Sequence, residues 1–596
     1  MRKTMVTLLA IVGGFTVAFF AIVFAIGALT SLSKARVADR TVLEWNLNGS
    51  IPEQSPDDPF AAFSGGPPMT LRDHLETLEK AESDPKVAGL IVTLGSAPVG
   101  VAQIQELREA IHSFRKKGKF AYAYSENFGG IGNYYLASAF DQIYLIPSGD
   151  VAITGLHLES MFFRGTLEKI GVTPHMEQRY EYKNAANQYM EKKFTPAHRE
   201  ALDKVGTSLF SQMVKGIATD RKMTEDEVKK LIDGAPYYGK EALAKKLVDG
   251  IAYRDEAYAK AKAKAGNDAK LLYVSKYLGR AGRPNTKGST IALIYGVGAI
   301  TQGKSSMDPL GGESSMGSDT VSAAFRQAIE DKDVKAILFR VDSPGGSAIA
   351  SDAIGREVIR AKKAGKPVIV SMGGVAGSGG YWVSMDADKI IASPGTITGS
   401  IGVLAGKMIA AGMFDKVGLT FDGIKYGENS TIYDSGQDFS PSELARFRAM
   451  LDFIYEDFTT KVANGRKLPK EKVLEIAKGR IWSGEDGKAL GLVDEIGGFR
   501  AALRVTKQVA KIGAAEEVNL KEFPRRKTPL ESLMAQIQGE QGDNSESHGT
   551  DVLARETAAQ AYLRELAPVV KQLRMVGILP AKPRGEVSMP EFNLRY

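Results

Sequence analysis

The chain has 596 residues, 43% apolar and 25% charged, a globular composition that excludes wholesale disorder and leaves room for three or four folding units. Its 77 basic and 70 acidic side chains give a net charge of +7 without any basic run interleaved with aromatics, so nucleic acid is not expected as a partner. Cysteine is absent, which removes thiol nucleophiles, disulfides and cysteine-bound zinc together.

No charge interrupts the stretch between Lys3 and Lys34, and residues 5–29 form a mostly apolar run. A helix of that length spans the ~30 Å hydrocarbon layer, and it exceeds the ~7–15 apolar residues of a cleaved leader. Residues 1–37 are therefore expected to be a transmembrane anchor in contact with lipid. Arg2 and Lys3 on one flank face Lys34, Arg36 and Arg40 on the other, so charge alone leaves the sidedness open.

The body is duplicated. Shifting the chain by 247 residues lays 87–147 on 334–394 without a gap, with eleven of the 61 positions identical, among them Tyr134/Tyr381 and Asp141/Asp388. The same likeness pairs LVDGI from Leu247 with LVDEI from Leu492. Each copy opens with a β-branched strand and a Gly/Ser/Pro-rich loop. A helix (71–82; 321–330), an apolar strand (87–94; 334–341), another helix and another strand follow. Val/Ile strands alternating with helices predict an α/β fold with mainly parallel sheets in two tandem repeats. The expected division is a first repeat at 38–288, a second at 289–520, and a C-terminal linker and tail at 521–596. The Lys-rich segments 221–246 and 469–478 read as solvated helices.

None of the six histidines lies in 289–520, and no paired His spacing occurs, so neither a metal site nor a Ser-His-Asp triad within the second copy is expected. His157 and His175 remain in the first copy, where a lone His near a strand is more simply structural. The second copy carries three glycine-rich turns: SPGG at 343–346, GGVAGSGGYW at 373–382 and TGSIG at 398–402. Glycine lets a backbone approach a ligand and present amides, as an oxyanion hole requires, although a single such turn is more simply a packing device. The first copy has lost these features, with Ser96-Ala97-Pro98-Val99 for SPGG and Leu156 for Ser400, while keeping the strand-helix pattern. Aligning Tyr182 with Tyr426 places Lys183 opposite Gly427, so each copy holds what the other lacks.

A serine needs a base, and with histidine missing from its own copy a neutral lysine is the plausible partner. Only about one free lysine in 2,500 is neutral at pH 7, and lowering the pKa by ~3 units requires ~4 kcal/mol of differential interaction, obtainable by burial.

These motifs together resemble the long-form signal peptide peptidase A (protease IV) family, Ser/Lys-dyad serine proteases of the Clp-protease/crotonase-like fold. The resemblance rests on the anchor, the tandem copies, SPGG, SGGYW, TGSIG and the lysine after a Tyr-x-Tyr stretch. It implies a membrane-anchored endopeptidase with Ser400 as nucleophile and Lys183 as general base. Backbone amides of Ile401, Gly345 and Gly346 would stabilise the oxyanion, with no metal or cofactor. It further implies cleavage of residual signal peptides, an extracytoplasmic catalytic body on the bacterial inner membrane, and a homo-oligomer, a tetramer by resemblance. Ser378, in the turn where Clp-type proteases carry their nucleophile, is the rival serine. A crotonase-like acyl-CoA enzyme and a non-catalytic membrane scaffold are the alternatives from other classes.

Overall fold

The computed structural model describes residues 36–55, 68–95, 99–266, 268–306 and 314–525, together with the backbone of two C-terminal strands, Glu586–Ser588 and Asn593–Arg595. The expected membrane anchor at 5–29 and the SPGG counterpart at 96–98 lie outside the described residues. Among the described residues no helix is long and apolar enough to cross a membrane.

Two mainly parallel sheets carry the chain. In the first, the spatial order is Lys270–Tyr273, Thr41–Leu47, Val87–Leu94, Phe120–Ser125, Gln142–Leu145 and Gly250–Ile251. In the second, Val518–Phe523, Ser289–Val297, Val334–Ser343, Val368–Gly377, Lys389–Ala392 and Glu495–Ile496 follow the same order. Even the register shift at the start of the leading strand recurs, between Thr41 and Val42 and between Thr290 and Ile291. The fold is α/β in two tandem copies. Each copy also builds a 26-residue helix, Pro196–Arg221 and Pro441–Arg466, with Pro near its start and a Thr195 or Ser440 side chain capping the first free amides.

The shared identities are scaffold. Tyr134 and Tyr381 donate their hydroxyls to the Leu247 and Leu492 carbonyls at 2.7 and 3.0 Å. Asp141 and Asp388 each accept a strand amide, from Ala121 and Val368, at 2.8 Å. Asp249 and Asp494 do the same for Ile143 and Ile390. Those bonds hold the equivalent strand ends in both copies whether or not a serine is present.

The copies share a core. Ile291, Leu293, Leu338 and Ile369 of the second sheet pack with the first copy's cluster, whereas the alternate residues Ala292, Ile294, Phe339 and Val370 face a second cluster. Burial on both faces explains the continuous apolar runs of these strands. On the shared face Arg340 replaces an apolar residue. Its guanidinium meets Glu53 at 2.9 and 3.0 Å and Glu106 at 2.8 Å, both from the first copy and all three side chains buried. Glu106 also accepts the Phe499 amide at 2.6 Å.

Candidate active site

Strand adjacency brings the two serines together. Gly377 and Gly399 are register partners on neighbouring parallel strands, so Ser378 and Ser400 leave the sheet side by side. The Ser378 amide donates to the Gly399 carbonyl at 2.8 Å. Both serines take positive φ, 55° and 51°, a conformation that costs a non-glycine residue energy and clusters at functional sites. Both are fully buried.

Lys183 arrives from the first copy on an arm. Strand Thr173–Arg179 pairs antiparallel with Val403–Ile409, the strand that follows TGSIG, in the register Arg179 to Val403. Lys183 follows at the start of a short 3-10 turn, Asn184–Ala186. Its Nζ lies 2.9 Å from Ser400 Oγ, 2.9 Å from the Ser400 carbonyl oxygen and 2.8 Å from Ser378 Oγ. The side chain is completely buried, and desolvation drives its pKa well below the ordinary lysine value.

The donor arithmetic of that cluster is informative. A neutral amine has two N–H groups and one lone pair, and the Ser400 carbonyl can only accept. One N–H therefore goes to the carbonyl, the second to one hydroxyl, and the lone pair receives the proton of the other hydroxyl. In that neutral state one serine hydroxyl points its proton at the amine and the other accepts from it.

The remaining sequence-predicted residues lie around this cluster. Ile401 is buried, and its carbonyl accepts the Gly479 amide at 2.8 Å. Gly345 and Gly346 form the strand Gly345–Ser347, paired through Gly346 to Ile300. A β-carbon at Gly346 would fall 2.2 Å from the Ile300 carbonyl oxygen, and one at Gly379 would fall 3.2 Å from Gly345 Cα. The SPGG turn thus packs against the turn that carries Ser378, and both need glycine to do so. Neither histidine joins them: His175 bonds Asp438 at 2.6 Å, and His157 lies in the strand His157–Glu159 paired with Asn593–Arg595. Among the described residues there is no His/Asp/Glu group that could hold a metal.

Sequence reasoning missed the clamp that holds Lys183 and Ser400 in register. Helix Lys470–Ile476 stops short of the solvated stretch expected through residue 478, because Lys478 and Gly479 turn to positive φ. The Lys478 carbonyl accepts the Tyr182 amide at 3.2 Å, and the Arg480 carbonyl accepts the Ser400 amide at 2.7 Å. Arg480 also lies over the Tyr182 ring and pairs with Glu200 at 2.8 Å. The Lys-Gly-Arg turn was the available signal, but lysine content made it look like surface.

Two segments of the chain, 113–268 and 360–513, match the family model described as Peptidase family S49. The chain is 31% identical over 555 residues to the chloroplastic serine protease SPPA of Arabidopsis thaliana, covering 91% of this chain and 79% of that protein. It is 32% identical over 483 residues to Protease 4 of Salmonella typhi, covering 79% and 76% of the two chains. With Protease 4 of Haemophilus influenzae the identity is 33% over 462 residues, covering 73% and 72%. A tandem α/β body with serine, lysine and glycine turns converging at one buried point defines a serine-type peptidase. The chain belongs to peptidase family S49, in the two-copy form of the long signal peptide peptidase A group. Peptides are accordingly its substrates.

Proposed function

We propose that the protein is a membrane-anchored endopeptidase that degrades residual signal peptides with a dyad divided between its copies, Lys183 as general base and Ser400 as nucleophile. The observation that carries this reading is the 2.9 Å approach of the buried Lys183 amine to Ser400 Oγ. Neutral Lys183 takes the hydroxyl proton as Ser400 attacks the peptide carbonyl. Backbone amides of Ile401 and Gly346 receive the developing oxyanion, each such donor being worth ~10²–10³-fold in rate, whereas the Gly345 amide expected to join them donates to Ser343 Oγ at 3.2 Å. The resulting ammonium protonates the leaving amine, and water then attacks the acyl-enzyme with Lys183 again as base. Ser378 accepts an N–H of the amine and orients it.

In this reading residues 1–37 anchor the chain in lipid, 38–288 supply the lysine and 289–523 supply the serine, because the strand Val518–Phe523 carries the second copy past the expected boundary at 520, and the remainder of 521–596 forms a linker and tail. The catalytic body lies on the extracytoplasmic side of the bacterial inner membrane, where an anchored peptidase meets apolar leader peptides. A homo-oligomer, with four chains by resemblance, is supported by the second copy's counterpart of the lysine arm, which leaves Phe421, Ile424 and Tyr426 exposed.

The test is to follow hydrolysis of apolar peptides by Ser400→Ala and Lys183→Ala proteins, and to map a fluorophosphonate adduct by peptide mass spectrometry. Loss of hydrolysis in both variants and an adduct on Ser400 support the scheme. Wild-type turnover by either variant, or an adduct on Ser378, overturns it.

A further inference from the structure

The strands Val334–Ser343 and Val368–Gly377 lose register beside the candidate site. Val341 pairs with Met372 and Ser343 with Ala376, so Asp342 alone stands against Gly373, Gly374 and Val375. Such a bulge takes a strand amide out of the ladder, and a buried amide without an acceptor is costly. Asp342 Oδ1 accepts the freed Val375 amide at 2.8 Å, while the Asp342 carbonyl accepts the Gly298 amide at 2.9 Å. The fit needs glycine next to it, because a β-carbon at Gly373 would fall 2.9 Å from Asp342 Cβ.

The first copy satisfies the equivalent amide differently. The 247-residue offset lays Asp342 on Gly95 and Val375 on Phe128, whose amide goes to the Asp150 carbonyl at 2.9 Å. The scaffold therefore does not require the carboxylate, and only the copy that carries Ser378 and Ser400 has it. Val375, Ala376 and Gly377 pair with Ile397, Thr398 and Gly399, and the two serines directly follow Gly377 and Gly399. We infer that Asp342 is a positioning residue for both serines, its carboxylate holding the bulged segment 373–377 where their hydroxyls meet Lys183. The inference rests on the proposed catalysis by Lys183 and a serine beside it.

The carboxylate also faces the contact between the copies. Its charged neighbours are Arg340 on its own strand, Glu53 after the strand Thr41–Leu47, and Glu106 on the helix Val101–Lys116. The helix Phe499–Val509 packs on the same strands and turns its Arg500 to Glu82 at 2.9 Å. One guanidinium thus stands among three carboxylates, and withdrawal from solvent together with Glu53 raises the Asp342 pKa to about 7. Above that value a charged acceptor holds the Val375 amide, and below it a neutral, weaker one does.

The test follows hydrolysis of an apolar peptide by the full chain and by its Asp342→Ala and Asp342→Asn variants. Asp342→Ala is expected to lower kcat on the order of tenfold with KM unchanged, less than the ~10²-fold of a full 1 Å misplacement. Asp342→Asn keeps an oxygen for the Val375 amide and is expected to restore most of that loss. A wild-type kcat in Asp342→Ala, or a loss in Asp342→Asn as deep as that in Asp342→Ala, overturns the inference. Should Asp342→Ala fail to fold, Asp342→Asn decides by itself. Its kcat relative to wild type is then expected to fall about threefold as pH rises through the Asp342 titration, because only the wild-type acceptor gains charge. A constant ratio would overturn the inference. The segment carries both serines, so a failed assignment of Ser400 as nucleophile stays distinguishable: Ser400→Ala would remain active while Asp342→Ala was still slow.

Discussion

Gly479 lies so close to Lys183 that a β-carbon at Gly479 would sit 2.6 Å from both Lys183 Cα and its amide nitrogen. Its φ of 81° adds a second reason for glycine. The contact presses a turn of the second copy against the backbone of Lys183, and the same turn accepts the Ser400 amide through Arg480. Gly479→Ala is expected to push the arm away and misplace the amine. A displacement of ~1 Å near the chemistry costs on the order of 10²-fold in rate. Peptide hydrolysis should fall by that order while the melting temperature changes by only a few degrees.

The pH dependence follows from the direction of the Lys183 shift. In the proposed dyad the neutral amine is the active form, so activity is expected above its folded-state pKa and is expected to be lost as pH falls through it. Stability follows the same sign. Between the lowered folded value and the unfolded value of ~10.4, the unfolded chain binds a proton that the folded chain does not, so stability rises with pH across that window. Lys183→Met is expected to abolish activity and raise the melting temperature at neutral pH. That gain over wild type should shrink as pH approaches ~10. Thermal melts of both proteins across this range check it, and a constant difference would contradict the assignment.

Ser378→Ala separates orientation from nucleophilic attack. Removing the hydroxyl takes away an acceptor 2.8 Å from the amine but leaves Ser400 in contact. Turnover is expected to fall about 10- to 100-fold, less than the ~10²–10⁴-fold of a lost general acid or base because the amine keeps its contact with Ser400. The ammonium form loses more from a missing acceptor than the neutral form, so the acidic limb of the rate profile should move to lower pH. Labelling at Ser400 by a fluorophosphonate should persist.

The Arg340 cluster ties the copies together. Arg340→Met would strand Glu53 and Glu106 in a buried site, at a cost of about 3–5 kcal/mol. Changing all three residues together, Arg340→Met with Glu53→Gln and Glu106→Gln, which keeps an acceptor for the Phe499 amide, should recover most of that loss. Urea midpoints of the single and triple variants test this, since equal destabilisation in both would mean the charges themselves are required.

Much of the scaffold was legible because it was written twice. The 247-residue offset selected Tyr134/Tyr381 and Asp141/Asp388, and these are the side chains that fasten equivalent strand ends. The two long helices were not singled out, because their means of starting, Thr195-Pro196 and Ser440-Pro441, is a short local signal. Ser400 and Lys183 stood out by comparison of the copies, since each is present where its counterpart is missing. The Lys-Gly-Arg clamp and the Glu53-Arg340-Glu106 cluster did not, because their partners are hundreds of residues apart in the chain.

Local chemistry and repetition thus determined the α/β class, the tandem plan and the candidate residues for the reaction. Only the packed structure decided that Lys183 loses its solvent, that two serines rather than one reach its amine, and that the C-terminal strand lies along the glycine turn. The reason is that propensity, periodicity and motif act over a few residues. Desolvation and hydrogen-bond partnership depend on which distant segments meet, and burial lowers the pKa of an ordinary lysine only when the other copy closes over it.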